Sequence, residues 1–517
     1  MYGRVLAVAV IGVQGHLIRV EAHVGRGLPT LTVAGLPGTG VLDGRERVRP
    51  AVESAGLEWP LRRVVVNLSP ANVRKEGPGF DLPIAMGVLS ASAQVPAVRL
   101  GAYAFAGELS LKGDLVSTPG ILAVAMAAAR AGLEGVVVPA QNAAEASLVE
   151  GLRVIPAGTL SEVVGFTRGT WVPDEAGGGA SAGAEASVGA ARAPADLSDV
   201  RGQEMARKAL EVAAAGGHNL LMVGPPGAGK TMLARRLPTI LPAMTRNEAL
   251  EVTRLHSVAG LLGRGGLVDV RPFRSPHHSI SQAGLLGGGT GFIRPGEVSL
   301  AHNGVLFMDE VNEFRRDAVE GLRQPLEDGR VVVARALGAV EFPARFALVA
   351  AANPCPCGFE GDTRRQCRCP PHRAEAYRQR LSGPLLDRLD IQLALPRLTR
   401  SELMDSKQGE RSDPVRERVE EARERQRARL RGTPWSCNGQ MSGPFARRHA
   451  GLTTGAADAL SAAVDGLALS GRGFDRIVKV ARTIADLEGH DQVEASDVNQ
   501  ALGFRGQWER EEVTSVS

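Results

Sequence analysis

The chain has 517 residues, which is longer than a domain with a single hydrophobic core usually is, so roughly two to four domains are expected. A hydrophobic fraction of 44% and a charged fraction of 22% are close to the average for soluble globular proteins and exclude wholesale disorder, collagen and coiled coil. Sixty basic and fifty-six acidic residues leave a net charge of +4, which is too small to indicate a nucleic-acid or membrane-surface partner by itself.

Two further global features concern location and redox state. No uninterrupted apolar run approaches the ~20 residues that span a bilayer, and the first residues lack the apolar core and cleavage site of a signal peptide. We therefore expect a cytoplasmic protein without a membrane partner. Four of the five cysteines lie between Cys355 and Cys369, which favours a local metal or redox site over a disulfide scaffold.

Residues 1–170 have the pattern of an α/β domain. Apolar runs such as Arg63 to Leu68 and Gly135 to Pro139 alternate with alanine-rich helical stretches such as Ile121 to Ala131. From about Asp174 to Ala195 the chain contains almost nothing large enough to bury, so it cannot offset the entropy lost on ordering. We predict a flexible linker there, with bounds at residues 171–196.

A nucleotide-binding motif opens the second predicted domain, residues 197–398. An apolar strand from Asn219 leads into a glycine-rich loop and then a helix, which is the context that a P-loop requires. Backbone N–H groups of such a loop converge on phosphates, Lys230 would neutralise the β- and γ-phosphate oxygens, and Thr231 would ligate Mg²⁺. The predicted ATP-binding loop consists of Gly224, Pro225, Pro226, Gly227, Ala228, Gly229, Lys230 and Thr231.

Further strands are predicted at Gly304 to Met308 and at Phe346 to Ala351. Two acids follow the first of them, and paired with a P-loop they indicate Mg²⁺-dependent phosphate chemistry. We expect Asp309 to hold the magnesium shell, from the second coordination sphere, and Glu310 to polarise the attacking water.

Two polar residues later in this domain fit a ring ATPase. Asn353 ends the strand that begins at Phe346, where its side chain could orient the lytic water; an asparagine that merely caps the strand is the alternative. Arg388 could reach the γ-phosphate of a neighbouring subunit as an arginine finger, whereas a surface ion pair with Asp387 or Asp390 is the alternative.

Two C-x-C pairs follow Asn353 directly. Cys355, Cys357, Cys367 and Cys369 could supply the four thiolates of a tetrahedral, structural zinc site, with His372 as a possible replacement for one of them. Reduced thiols without a metal are the alternative. The loop between the pairs is rich in arginine, which could contact nucleic acid or a neighbouring subunit.

The charge-dense stretch from Ser401 to Arg431 and apolar periodicity from Ala456 to Leu502 predict a helical lid over residues 399–510.

These segments together resemble the magnesium-chelatase-like AAA+ proteins of the YifB/ComM family. The resemblance rests on GPPGAGKT, VLFMDE, AAANPCPCG, SGPLLDRLDI and SGRGFDRIVKVARTIADL, and it covers nearly the whole chain outside the linker. It implies that Asn353 is sensor 1, that Arg388 is an arginine finger acting in trans, and that Arg472 is sensor 2, with Arg476 as the competing choice. It also implies that Gln203, within Val200 to Gln203, lines the adenine pocket.

The same resemblance implies two insertions that distinguish helicase and chelatase motors. A helix-2 insert would occupy Arg271 to Pro295, and a hairpin before sensor 1 would occupy Asp328 to Arg345. In a DNA motor these segments would grip phosphates through arginines and backbone N–H groups. The candidate arginines are Arg274, Arg294, Arg335 and Arg345, and an ordinary salt bridge is the alternative role for each of them.

The N-terminal residues resemble the ribosomal-S5-like proteolytic domain of Lon, whose active form uses a Ser–Lys dyad. The match runs through RKEGPGFD, from Arg74 to Asp81, and then GELSLKGDLVSTPGIL. Gly79 stands at the serine position and Leu122 at the lysine position, so nucleophile and base are both missing. We expect a proteolytically inactive domain, in which Lys75 and Lys112 are solvated surface residues.

The expected function is hydrolysis of ATP with Mg²⁺ by a homo-oligomeric ring, most simply a hexamer, since a finger in trans needs a neighbour. The family resemblance implies a DNA translocase or helicase that acts on branched or heteroduplex DNA during recombination in natural transformation, with recombination proteins as possible partners. The alternatives are a metal-chelatase motor subunit that remodels a protein partner and an ATP-dependent protease, against which the missing dyad argues.

Overall fold

The computed structural model shows an α/β protein whose C-terminal part is helical, as the sequence predicts. Most of the predicted linker, together with residues 399–408 before the lid, lies outside the described residues. The structure describes residues 1–173, 195–263, 266–289, 293–335, 338–362, 364–398, 409–467 and 469–505.

The first unit is built on a seven-stranded mixed sheet with the order β3-β4-β2-β1-β5-β8-β9. Strands β1 and β2 form a long antiparallel hairpin, and β5, β8 and β9 extend the sheet in parallel. Its elements are β1 (Tyr2–Ile11), β2 (Gln14–Gly25), β3 (Thr30–Ala34), α1 (Thr39–Ser54), β4 (Arg63–Ser69), α2 (Asp81–Ala91), β5 (Tyr103–Phe105), β6 (Glu108–Leu109), β7 (Leu115–Val116), α3 (Ile121–Arg130), β8 (Gly135–Pro139), α4 (Ala143–Ala146), β9 (Arg153–Ala157) and α5 (Leu160–Arg168).

The second unit is built on a five-stranded sheet, all parallel, with the order β11-β14-β17-β10-β18. The central strands are almost wholly buried and apolar, as helices on both faces of a parallel sheet require. Its elements begin with α6 (Glu204–Gly216), β10 (Leu220–Val223), α7 (Lys230–Ile240), α8 (Arg246–Ala259), β11 (Phe273–Arg274), α9 (Gln282–Leu286), β12 (Gly287–Gly288), β13 (Arg294–Pro295), α10 (Glu297–Leu300) and β14 (Val305–Met308).

The same unit continues through a β-hairpin to the last strand of the sheet. Strands β15 and β16 pair antiparallel and form the hairpin predicted before Asn353. These elements are α11 (Arg316–Glu320), α12 (Arg323–Asp328), β15 (Arg330–Arg335), β16 (Gly338–Pro343), β17 (Ala347–Ala352), α13 (Pro371–Arg378), α14 (Gly383–Leu386) and β18 (Ile391–Ala394).

The last unit is helical. Its longest amphipathic helix, α18, packs against α6 of the second unit, and one apolar core continues from the sheet into these helices. The helices are α15 (Ser412–Arg429), α16 (Gly443–His449), α17 (Thr454–Leu467), α18 (Gly471–Glu488) and α19 (Ala495–Gly503). Among the described helices, none is both long enough and apolar enough to cross a bilayer.

Contacts between the first and second units include an ion pair between Glu150 and Arg246 (2.8 Å) and two further regions. Ser257 on α8 donates a hydrogen bond to the buried carboxylate of Glu145 (2.6 Å) and accepts one at its carbonyl from Gly120 N (3.1 Å). The turn between β1 and β2 packs on the β15–β16 hairpin, where Val13 shares an apolar cluster with Val340. The N-terminal unit therefore supports the hairpin that precedes Asn353.

One expectation about the first unit is wrong. Lys75 is not a solvated surface lysine but is completely buried, with its ammonium donating to the carbonyl oxygens of Gly35 (2.8 Å) and Pro70. Burial lowers the pKa of this ammonium. Lys75 thus joins two loop segments of the fold. The sequence around Lys75 alone cannot show this, because it does not show which distant residues Lys75 contacts.

Candidate functional site

The glycine-rich loop joins the carboxyl end of β10 to the first turn of α7. Gly227 and Gly229 have φ of +82° and +88°, a backbone conformation that residues with a Cβ rarely adopt. The N-terminus of α7 therefore opens towards the loop with unpaired N–H groups and a favourable dipole for phosphate. The predicted P-loop consequently has the strand, loop and helix that phosphate binding needs.

Lys230, the first residue of α7, points back into this loop. Its ammonium is buried and donates to the carbonyl oxygen of Pro225 (3.1 Å) and to Oδ1 of Asn353 (3.0 Å). Burial lowers its pKa, while the negative charges of Asp309 and Glu310 oppose that shift. The residue predicted as sensor 1 therefore directly contacts the P-loop lysine.

The two acids after β14 lie at the same edge of the sheet. Thr231 Oγ1 donates to Asp309 Oδ2 over 2.7 Å, so the hydroxyl and the carboxylate are adjacent oxygen donors of the kind that Mg²⁺ prefers. Glu310 is exposed, has a left-handed backbone with φ of +51°, and donates its N–H to Asp309 Oδ1 (3.0 Å). That conformation gives the two neighbouring carboxylates different surroundings.

Gln203 lies directly before α6 and contacts the P-loop. It too has a left-handed backbone, with φ of +51°, and its side-chain amide donates to the carbonyl oxygen of Ala228 over 2.7 Å. Val200, which precedes it, is buried. The segment expected to line an adenine pocket therefore lies against the loop expected to bind the phosphates.

Arg388 lies at the opposite edge of the sheet from Lys230. Its carbonyl oxygen accepts a hydrogen bond from Asn219, which precedes β10, whereas the P-loop follows β10. A strand of this length separates the two edges by about 13 Å. The guanidinium pairs with Glu327 and not with Asp387 or Asp390, and it lines a cleft of about 660 Å³ between the second unit and the lid.

The two candidate sensor 2 residues, Arg472 and Arg476, lie close to the chain segment that contains Arg388. Arg476 is buried and donates to the carbonyl oxygens of Leu386 and Leu389 at 3.0 Å each, which attaches α18 to the chain on both sides of Arg388. The side chain of Arg472, one turn earlier, is 65% exposed and lies 3.7 Å from Asp387. Because Arg476 is committed to backbone carbonyls, Arg472 has more freedom to meet a ligand.

The four clustered cysteines converge on one point. Cys355 Sγ lies 3.4 Å from Cys357 Sγ and 3.6 Å from Cys367 Sγ, and all four sulfur atoms lie within 4.8 Å of one another. A tetrahedron of Zn–S bonds of about 2.3 Å has edges of about 3.8 Å, so these spacings suit a tetrathiolate metal site and are far too long for disulfides. The N–H of Arg368 helps to lower the pKa of Cys357 to about 6.

Neither His372 nor Cys437 belongs to this cluster. The group of possible ligands in the described chain contains four thiols and no histidine. Cys437 is buried beside Gly217 in the lid cleft. The loop that carries the cluster contacts the P-loop at Gly358, since a Cβ on Gly358 would lie 2.5 Å from Cδ of Pro226.

The arginines expected to grip phosphates differ in their surroundings. Arg274 forms a two-pronged ion pair with Glu297 at 2.6 and 2.7 Å, so the expectation that it is available for phosphate is corrected. Arg294, on β13 of the insert, and Arg345, after the hairpin, are exposed. The side chain of Arg335 lies outside the described part of the chain.

The two positions at which the Lon resemblance places serine and lysine hold Gly79 and Leu122. A Cβ on Gly79 would approach Thr118 at 3.9 Å, and Leu122 is buried within α3. The buried Lys75 contacts only carbonyl oxygens among its hydrogen-bond partners.

Sequence reasoning missed three contacts. Glu327 pairs with Arg388, Gly358 abuts Pro226, and Asn219 bonds to Arg388. The only available signal was the polar pair His218 and Asn219 directly before an apolar strand, and that pattern alone does not say which partners they meet.

Comparison with known families matches all three units. The profile described as "Magnesium chelatase, subunit ChlI" matches residues 196–403. "Subunit ChlI of Mg-chelatase" matches residues 20–142, and "Magnesium chelatase, subunit ChlI C-terminal" matches residues 409–505.

Relatives match over nearly the full length. An uncharacterized protein of Mycobacterium tuberculosis is 44% identical over 504 residues, which cover 97% of this chain and 98% of the relative. Competence protein ComM of Haemophilus influenzae is 42% identical over 96% of each chain, and the uncharacterized protein YifB of Escherichia coli is 40% identical over 96% of each. Lon protease 2 of Bacillus subtilis is 31% identical over 145 residues, 27% of this chain and 26% of the protease.

The contact between the cysteine cluster and the P-loop predicts that Gly358→Ala weakens nucleotide binding without removing any candidate ligand. The new Cβ would push Pro226 away, and φ of +81° adds backbone strain. Gly361→Ala is the matched control, since φ there is +74° and nothing lies within 4 Å. We expect the Kd for a fluorescent ATP analogue to rise about tenfold for Gly358→Ala, or about 1.4 kcal/mol. Equal effects in both variants would contradict a specific contact.

Proposed function

The chain belongs to the YifB/ComM family of magnesium-chelatase-like AAA+ ATPases, and we propose that it hydrolyses ATP with Mg²⁺ as a ring that moves along DNA. The observation that supports ATP hydrolysis most strongly is the convergence of Lys230, Thr231, Asp309 and Asn353 at one edge of the parallel sheet, with Glu310 beside them. These are the residue types that phosphoryl transfer to water needs.

Each side chain has a separate proposed role. The P-loop N–H groups and Lys230 hold the β- and γ-phosphates, and Thr231 and Asp309 would hold Mg²⁺, with Asp309 acting through the Thr231 hydroxyl that it already contacts. Bound Mg²⁺ supplies charge neutralisation at the phosphate oxygens. Glu310 accepts a proton from the attacking water, and Asn353 orients that water. Gln203 supports the loop from the side of the adenine.

The proposed catalytic arginines belong to the next subunit's site. Arg388 and Arg472 both lie at the amino edge of the sheet, remote from Lys230 of their own chain. An arginine there reaches a γ-phosphate only when another subunit presents its carboxyl edge. We therefore propose a homo-oligomeric ring, most simply a hexamer, with Arg388 as the finger and Arg472 as sensor 2.

The division of roles predicts different defects for two variants. Lys230→Ala should lose ATP binding, because nothing else in the loop neutralises the phosphates. Glu310→Gln should bind ATP with wild-type affinity yet hydrolyse it about 10²-fold more slowly or worse, because the general base is lost. Binding of labelled ATP and phosphate release measure the two steps. Wild-type turnover by Glu310→Gln would refute the assignment of Glu310.

DNA is the proposed track of the motor. The relative named competence protein ComM matches over 96% of this chain, and competence concerns uptake of DNA, so we propose action on branched or heteroduplex DNA in recombination. Exposed Arg294 on the insert is the proposed phosphate contact. A cytoplasmic location and contacts with recombination proteins belong to this proposal.

The DNA proposal predicts that affinity for a four-way junction falls steeply with salt, by about 10²-fold or more between about 50 and 200 mM, because bound arginines release counterions. Arg294→Ala should reduce the slope of log Kd against log salt by about one. The matched control is Arg49→Ala, which removes an exposed arginine paired with Glu53 on α1. Fluorescence anisotropy with an ATP analogue present measures both.

A chelatase motor subunit is the second candidate, because all three matching profiles carry the name of a magnesium chelatase subunit. It would use the same ATP site to remodel a protein partner. Absence of junction binding, or a flat response to salt, favours it over the DNA motor. A protease is not proposed, since Gly79 and Leu122 supply neither nucleophile nor base.

We also propose that the cysteine cluster binds one structural zinc ion. Purified protein should carry about one zinc per chain, because four thiolates close a tetrahedral site. Replacing Cys367 and Cys369 by serine should release the metal and lower ATPase activity, since the loop contacts Pro226 and follows Asn353. Cys437→Ser is the control and should keep the metal. Elemental analysis without chelators decides, and metal-free protein with full ATPase activity would refute the site.

A further inference from the structure

Asn219 occupies a junction between three parts of the catalytic machinery. Its side-chain amide donates to the carbonyl oxygen of Arg388 (2.9 Å), and its Oδ1 accepts from the N–H of Leu348 (2.9 Å). Asn219 directly precedes β10, which leads to the P-loop, and Leu348 lies in β17, which leads to Asn353. One side chain thus contacts the strand of the P-loop, the strand of sensor 1 and the residue proposed as the finger.

The main chain of Asn219 strengthens this junction. Its carbonyl oxygen accepts from the N–H groups of Asp390 and Ile391 at 3.0 Å each, and its own N–H donates to Asp390 Oδ2 (3.2 Å). The same carboxylate oxygen contacts His218 Nδ1 at 3.3 Å. Residues 388–391 are therefore fastened to the start of β10 by both side chain and main chain.

The junction also reaches the lid. His218 is completely buried, and its Nε2 lies 2.8 Å from Oγ1 of Thr483 on α18. That helix also carries Arg472 and, through Arg476, binds the chain on both sides of Arg388. A change in β10 therefore has a continuous hydrogen-bonded route to both proposed trans arginines.

We propose that Asn219 is a positioning residue for Arg388. Through Asn219, the nucleotide-binding edge of a subunit sets the position of the arginine finger that the same subunit presents to its neighbour. The finger is long and carries its charge far from the backbone, so the direction in which it leaves the chain depends on how its carbonyl is held. A displacement of about 1 Å at a catalytic group can cost on the order of 10²-fold in rate. This proposal rests on the action of Arg388 in trans.

A purely structural role for Asn219 makes a different prediction. If the side chain merely closes the sheet edge, its loss should weaken ATP binding and thermal stability of its own subunit. Asn219→Asp separates the two roles, because a carboxylate still accepts from Leu348 N–H but can no longer donate to the Arg388 carbonyl. Asn219→Ala removes both bonds, and Asn67→Ala, at an exposed pair with Glu21 in the first unit, is the asparagine control.

The test compares these full-length variants with Arg388→Ala. We expect Asn219→Asp to lower kcat about 10²-fold while the Kd for an ATP analogue stays within about twofold, and Arg388→Ala should add little to that loss. Mixing Asn219→Asp with Lys230→Ala subunits should restore activity, because the latter contribute intact fingers. Mixing it with Arg388→Ala should restore none, because neither subunit offers a working finger.

Several outcomes would overturn the proposal. Wild-type kcat in Asn219→Asp, or recovery when it is mixed with Arg388→Ala, would overturn it while leaving the finger assignment intact. Wild-type kcat in Arg388→Ala itself would overturn both. If the Asn219 variants misfold, hydrogen exchange of the wild-type ring decides: residues 386–391 and the Leu348 amide should change protection together on binding an ATP analogue, and no change at 386–391 overturns the proposal.

Discussion

The parallel direction of the central strands is the constraint on which the proposed mechanism depends. Parallel strands present all their carboxyl ends at one edge of a sheet, so the loops after β10, β14 and β17 bring Lys230, Asp309 and Asn353 together. The segment before β18 lies at the other edge and carries Arg388. A single subunit therefore contains both halves of the proposed catalytic machinery but cannot bring them together. The proposed mechanism consequently requires that subunits assemble.

That separation requires communication across the sheet, and the structure offers routes with different physical character. The junction at Asn219 consists of hydrogen bonds that join the starts of three strands, β10, β17 and β18. The contact of Gly358 with Pro226 links the cysteine cluster to the P-loop through van der Waals contact alone. The Asn219 junction lies at the amino edge and is connected to the nucleotide edge through β10 and β17, whereas the Gly358 contact lies at the nucleotide edge itself. Neither contributes a phosphate ligand, and both depend on tertiary packing rather than on local sequence.

The N-terminal unit is similar to part of Lon protease 2, and in this structure it packs against the second unit. Its β1–β2 turn packs on the hairpin before Asn353, and Glu145 holds α8 through Ser257. Burial raises the pKa of Glu145, so its three hydrogen bonds from Ser257, Asn142 and Leu122 offset a desolvation cost. The N-terminal unit therefore supports the second unit at α8 and at the hairpin before Asn353.

The sequence by itself determined the fold class, the P-loop, the two acids after β14 and the cysteine pairs, because each depends on residues that are neighbours in the chain or on a period of 2 or 3.6 residues. It could not determine that Lys75 is buried, that Glu297 pairs with Arg274, or that Asn219 bonds to Arg388. The sequence separation from Lys75 to Gly35 is 40 residues, from Arg274 to Glu297 it is 23 and from Asn219 to Arg388 it is 169, so no local pattern shows these contacts. Only tertiary structure decides which edge of the sheet each loop reaches, since strand order and direction arise from packing of the whole domain.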